Sequence, residues 1–202
     1  MWEPITGEIL VRLRFVGWRE DYKTLSIGRH RSGEPFQSIG KASLRTLGEF
    51  GGLLNLVKDM EFRWLGRARL GTKSVYVFNV AVAKIFGPWI RRGDRPGGLV
   101  AERGLICIEE ESNHTLAIAL EAVDIPLSYG IEMASRSVVF SETPIDGKTL
   151  LLPSSSESIA HNAGEFKLRQ SSQYRNYKKF DVESDLLFES IESKVTYTGQ
   201  TE

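Results

Sequence analysis

GLICIEEESNHTLAIALEAVDIPLSY, residues 104–129, decides the fold. It reads as one strand, a polar turn at Glu110–His114, a second strand and a stop at Pro126. Within Leu116–Ile125 the large residues Leu116, Ile118 and Leu120 alternate with the smaller Ala117, Ala119 and Val123. A period of two marks a strand, and here neither set is polar. The strand is therefore apolar on both sides, with small residues dominating one of them.

The same pattern spreads outward in both directions. Ile9, Val11, Leu13 and Phe15 alternate with Glu8, Arg12 and Arg14, which predicts a half-buried strand over 7–16, followed by another over 19–27. Downstream, strands are expected at 61–69, 74–84, 98–101, 104–111, 114–125, 132–143, 148–160, 165–177 and 181–188, with a brief one at 36–39. Asp146-Gly147 is a hairpin turn, and His161-Asn162-Ala163-Gly164 a longer one. The stretch 84–103, with four Gly and two Pro, reads as the longest loop. Short turns make neighbouring strands antiparallel, because parallel pairs need long crossovers.

One segment has a different period. In SLRTLGEFGGLLNLVKDM, residues 43–60, Leu47, Phe50, Leu54 and Val57 fall at helical spacing, and Thr46 with Glu49 forms a capping box. A helix over about 45–58 is expected, although Gly51-Gly52 weakens it by about 1 kcal/mol per glycine. The fold class is then mainly β with one main helix: a single curved antiparallel sheet of about 8–10 strands, an open half-barrel, with the helix on its concave face. A sheet that is apolar on both sides needs a cover on each, so it either curls on itself or receives something apolar. Residues 1–189 form one domain, and 190–202 reads as a frayed tail.

The chain has 202 residues, of which 26 are Lys or Arg and 26 are Asp or Glu. This balance removes the simplest electrostatic case for nucleic acid or an anionic membrane as partner. The basic groups Arg63/Arg67/Arg69/Lys73 and Arg91/Arg92/Arg95 read as a solvated strand edge and a loop. Cys107, the single cysteine, excludes an intramolecular disulfide and sits in an apolar strand as a small hydrophobe. No apolar run has the length of a spanning helix. Met1-Trp2-Glu3-Pro4 is no signal peptide, which taken literally means a cytoplasmic chain.

Catalytic chemistry finds no constellation. His30, His114 and His161 fall in turns without metal-ligand spacing, so no metal is expected, and no cofactor. Glu121 and Asp124 lie near an apolar strand and are the one carboxylate pair that could work as acid and base. Bonding to the loop backbone near Pro126 is the simpler role for them. P-loop, nucleotide-binding and nucleophile-elbow motifs are absent from the sequence.

Seven short motifs in order carry a resemblance: GEFGGLL (48–54), EFRW (61–64), VYVFNV (75–80), GLICIEEES (104–112), EAVDIP (121–126), LLLP (150–153) and YKKF (177–180). Together they resemble an uncharacterised family of secreted bacterial β-rich domains, whose architecture is similar to the outer-membrane lipoprotein carriers. The resemblance implies a half-barrel that holds an acyl chain or lipidated partner against its concave face, in the periplasm or outside the cell. It implies no catalytic residue. Members begin with a signal peptide, a helix and a strand ahead of the segment matching Trp2–Val16, so this chain looks N-terminally shortened. Its first strand is then expected to expose an unpaired edge, open to an edge-strand dimer.

The expected function is non-enzymatic binding of an apolar ligand, with Phe50, Leu54, Trp64, Phe78, Ile118 and Leu120 touching the ligand or the covering helix. A carbon-lined cavity of at least about 300 Å³ beneath the helix would favour this reading. A concavity filled by the helix would favour a structural or protein-interaction module instead. A small hydrolase built on Glu121 and Asp124 is the distant alternative.

Overall fold

The computed structural model describes residues 4–16, 19–27, 59–86, 99–127, 131–162, 167–180 and 185–198. Its strands are β1 (Pro4–Val16), β2 (Arg19–Ile27), β3 (Met60–Leu70), β4 (Lys73–Phe86), β5 (Leu99–Glu109), β6 (Thr115–Val123), β7 (Ile131–Ile145), β8 (Lys148–Asn162), β9 (Lys167–Tyr174), β10 (Tyr177–Phe180) and β11 (Asp185–Thr198). All belong to one antiparallel sheet, in the order β2-β1-β11-β9-β8-β7-β6-β5-β4-β3, with β10 pairing β11 off this path. Seven of them, β3 to β9, form a meander in which each strand lies beside its successor. β2 and β3 end the path without pairing each other, so the sheet is open.

The hairpins follow from local chemistry. At Asp146-Gly147 both residues have positive φ (49° and 74°), the turn whose twist matches the flanking strands. Asn113, φ 57°, closes the β5–β6 turn, where the Glu109 amide donates to the His114 carbonyl at 2.8 Å. Asn176, also at φ 57°, interrupts the last long strand expected from the sequence. The strand expected over 165–177 therefore ends at Tyr174 as β9, and β10 starts afresh at Tyr177 and runs to Phe180, both paired with β11.

Several expectations change here. The short strand at 98–101 and the strand at 104–111 are a single strand, β5, so Glu102 and Arg103 are sheet residues and not loop. β1 is not an open edge, because it pairs β2 on one side and β11 on the other. β11 runs to Thr198 and lies between β1 and β9, so a boundary at 189 falls inside a strand. The helix expected at 45–58 and the strand expected at 36–39 lie outside the described residues, and no α-helix occurs among those described.

Pleating sorts the meander into two faces. One face carries Val80, Val82, Glu102, Ile106, Ile118, Leu120, Ala134, Arg136, Val138, Gln170 and Ser172, all buried. The β6 pattern of large residues in and small residues out appears as the sequence predicts, with Leu116, Ile118 and Leu120 buried. Each apolar side chain closed off on this face contributes at about 25 cal/mol per Å² removed from water.

Candidate functional site

The opposite face is built from small residues, and cross-strand register shows how they assemble. Val77, Cys107, Ala117 and Val139 form one row across β4, β5, β6 and β7. Asn79, Leu105, Ala119, Ser137 and Glu157 form the next, reaching β8. Arg103, Glu121, Ser135, Ile159 and Arg169 form a third. The short side chains Ala119, Ser135 and Ser137 stand in the middle, and the longer Leu105 and Ile159 flank them. The result is a groove of about 410 Å³, which Leu120 and Gly104 also border.

Its charges are arranged in pairs. Arg103 Nε donates to Glu121 Oε1 at 2.6 Å. Glu157 Oε1 accepts from Arg169 Nε and Nη2 at 2.9 and 2.7 Å and from Ser171 Oγ at 3.3 Å. The rim is therefore ionic yet balanced, while Leu105 and Val139 expose about 40% of their surface on the same side of the sheet. Cys107 lies half-buried beside the groove, and desolvation pushes its thiol pKa up, which suppresses the nucleophilic thiolate.

The residues expected to contact a ligand fall elsewhere. Trp64, Phe78 and Ile118 share one cross-strand row, and Leu120 stands in the next, all on the buried face. Ile118 and Leu120 are each 2% exposed, whereas Trp64 is 51% exposed at the β3 end. Trp64 packs on Phe78 with ring centroids 5.4 Å apart, and Phe62 meets Phe78 edge-on at 6.3 Å. The four are thus contiguous, closed at one end and open at the other. Phe50 and Leu54 lie outside the described residues. The open groove is on the reverse side of the sheet, and its signal in the sequence was the Ala117/Ala119 alternation.

Glu121 is engaged by Arg103, and Asp124, φ 55°, is an exposed turn residue. His161 lies within β8, not in a turn, and His30 is outside the described residues. The turn does bring together one group that sequence spacing missed: ligand atoms of Glu109, His114 and Glu142 lie within 4.8 Å of one another. Glu109 already holds Lys73 Nζ at 2.9 Å and accepts from Ser112 Oγ at 2.5 Å. These contacts, the Ser112 hydroxyl first, lower the Glu109 pKa, and Glu109 in turn raises that of Lys73. The cluster is an ion-pair network that pins the β5–β6 turn to β4.

Among the described residues no helix is long and apolar enough to cross a membrane. Comparison of the chain with family models, with curated proteins and with solved structures finds no match.

Proposed function

We propose that the protein is a non-enzymatic binding module whose small-residue sheet face takes an apolar segment, an acyl chain or the lipid of a lipidated partner. The observation that carries this reading is the groove of about 410 Å³ floored by Ala119, Ser135 and Ser137, within the size range of small-molecule sites. Its rim charges are mutually paired, so an uncharged chain enters without leaving an ion stripped of water and partner. Each methylene buried there contributes about 0.8 kcal/mol. The motif resemblance to half-barrel lipoprotein carriers supports the same class of ligand and a periplasmic or secreted location, though with the ligand on the small-residue face.

Thermal unfolding with dodecanoate and with palmitate, together with native mass spectrometry, tests the reading. A saturable rise in Tm and a one-to-one adduct are expected. Ala119→Leu, which fills the groove floor at an exposed position, should keep the fold and lose both signals. No shift and no adduct for either acid would remove the proposal.

A second reading, a structural or interaction module, draws support from the opposite face. There Ile118 and Leu120 are closed off, each only 2% exposed, as a concavity already filled would leave them.

A further inference from the structure

We infer that β3 is a homodimerisation edge, pairing antiparallel with β3 of a second copy about a two-fold axis near Leu65–Gly66. β3 ends the sheet, and among the described residues it pairs only with β4, its outer row of backbone groups meeting no other described strand. Sheet edges that stay solvated are guarded by charge and kept short and polar. β3 carries the charges of Glu61, Arg63, Arg67 and Arg69, yet it is eleven residues long and also exposes Phe62, Trp64, Leu65 and Leu70.

The arrangement of side chains on this edge points to a second copy. A bulge at Leu65 shifts the register between Trp64 and Gly66. Phe62 and Trp64 stand opposite Val80 and Phe78, and beyond the bulge Arg67 and Arg69 stand opposite Tyr76 and Ser74. All four partners are alternate residues of β4, so Phe62, Trp64, Arg67 and Arg69 share one face. Without the bulge the two arginines would lie on the other side. The face reads aromatic, aromatic, basic, basic along the strand.

Reversing one copy against the other sets the aromatic half of each beside the basic half of its mate. That self-complementarity is what an isologous two-fold interface requires. Arg67 lies over its own Tyr76 ring at 5.6 Å, with its Nε paired to Glu110 Oε1 at 3.2 Å, and 69% of its side chain is still exposed. Trp64 of the mate would complete an aromatic–guanidinium–aromatic stack, and Phe62 would meet Arg69 in the same way.

Light scattering coupled to gel filtration, over a wide range of concentration, tests this. A concentration-dependent dimer is expected. Trp64→Lys puts like charge beside Arg67 of the mate and should weaken the dimer at least about tenfold. Phe62→Lys should do the same beside Arg69, and adding Arg69→Glu to it should restore most of the loss. Both rings are about half exposed, so circular dichroism of each variant should match the parent. Independently, Leu65→Cys in a Cys107→Ser background should form an intermolecular disulfide under mild oxidation. A monomer at every concentration, a dimer indifferent to Trp64→Lys, a double variant no tighter than Phe62→Lys, or no cross-link would each overturn the proposal.

Discussion

Glu102 and Arg136 form a buried ion pair within the described sheet. Arg136 Nη2 donates to Glu102 Oε2 at 2.5 Å, with side chains 6% and 1% exposed. Two such ions inside an apolar layer repay their desolvation only while paired. Glu102→Leu should destabilise by about 3–5 kcal/mol in urea titrations, and adding Arg136→Met should recover much of it. Gly104, the next buried-face position on β5, is fixed by space: a Cβ there would run into the Ala119 backbone carbonyl. Because backbone must yield, Gly104→Ala should cost about 1–3 kcal/mol, seen as a lower Tm. At the turn, the lowered Glu109 pKa means that its contribution is present above the ordinary value of 4.5 and lost as pH falls through the lower folded value. For Lys73, raised from 10.5, the contribution is present below that value and lost as pH rises through the folded one. Ser112→Ala should move the Glu109 midpoint back toward 4.5 in carboxylate NMR titrations, since its hydroxyl is the largest cause of the shift.

At the scale of elements, alternation made most of the meander legible. β3, β4, β6, β7 and β8 lie within a few residues of their expected spans, and Asp146-Gly147 turns where its chemistry requires. The failures share a cause: pairing partners distant in sequence. Glu102 and Arg103, close behind Gly97-Gly98, look like loop until Glu102 finds Arg136, 34 residues on, and Arg103 finds Glu121. Residues 190–198 look frayed until β1 and β9 flank them. The serines of β8, inside the strand expected over 148–160, find partners on both sides, and Ser156 shares a 2.9 Å hydrogen bond with the Tyr174 hydroxyl. Ser154 Oγ donates to the Val139 carbonyl at 3.1 Å, beside the register shift in β7 and β8. Tyr177 donates to the Pro153 carbonyl and ties β10 to β8, and its burial raises the phenol pKa. Tyr177→Phe should therefore lower stability by about 1 kcal/mol, measured by chemical denaturation, with the fold unchanged.

For the whole molecule, an open sheet with two unlike faces frames both proposals. One face is closed around large side chains and a buried ion pair, and ends at β3 in half-exposed aromatic rings. The other leaves a groove floored by Ala119, Ser135 and Ser137 and rimmed by Leu105, Ile159 and the charged Arg103, Glu121 and Glu157. The groove was half legible: Ala117 and Ala119 announced room on one side, while the contacts expected at Trp64, Phe78, Ile118 and Leu120 stand on the opposite face. Alternation says that two faces differ, while only register across five strands says which residues make a hollow. The central claim is that this hollow holds an apolar chain. Methyl NMR during titration with palmitate tests it most directly. Concerted, saturable shifts at Leu105, Ala119 and Ile159, with Ile118 unmoved, are what the account predicts. Methyl groups of Leu105, Ala119 and Ile159 that stay still while palmitate perturbs only the Trp64–Phe78 end of the sheet would contradict it.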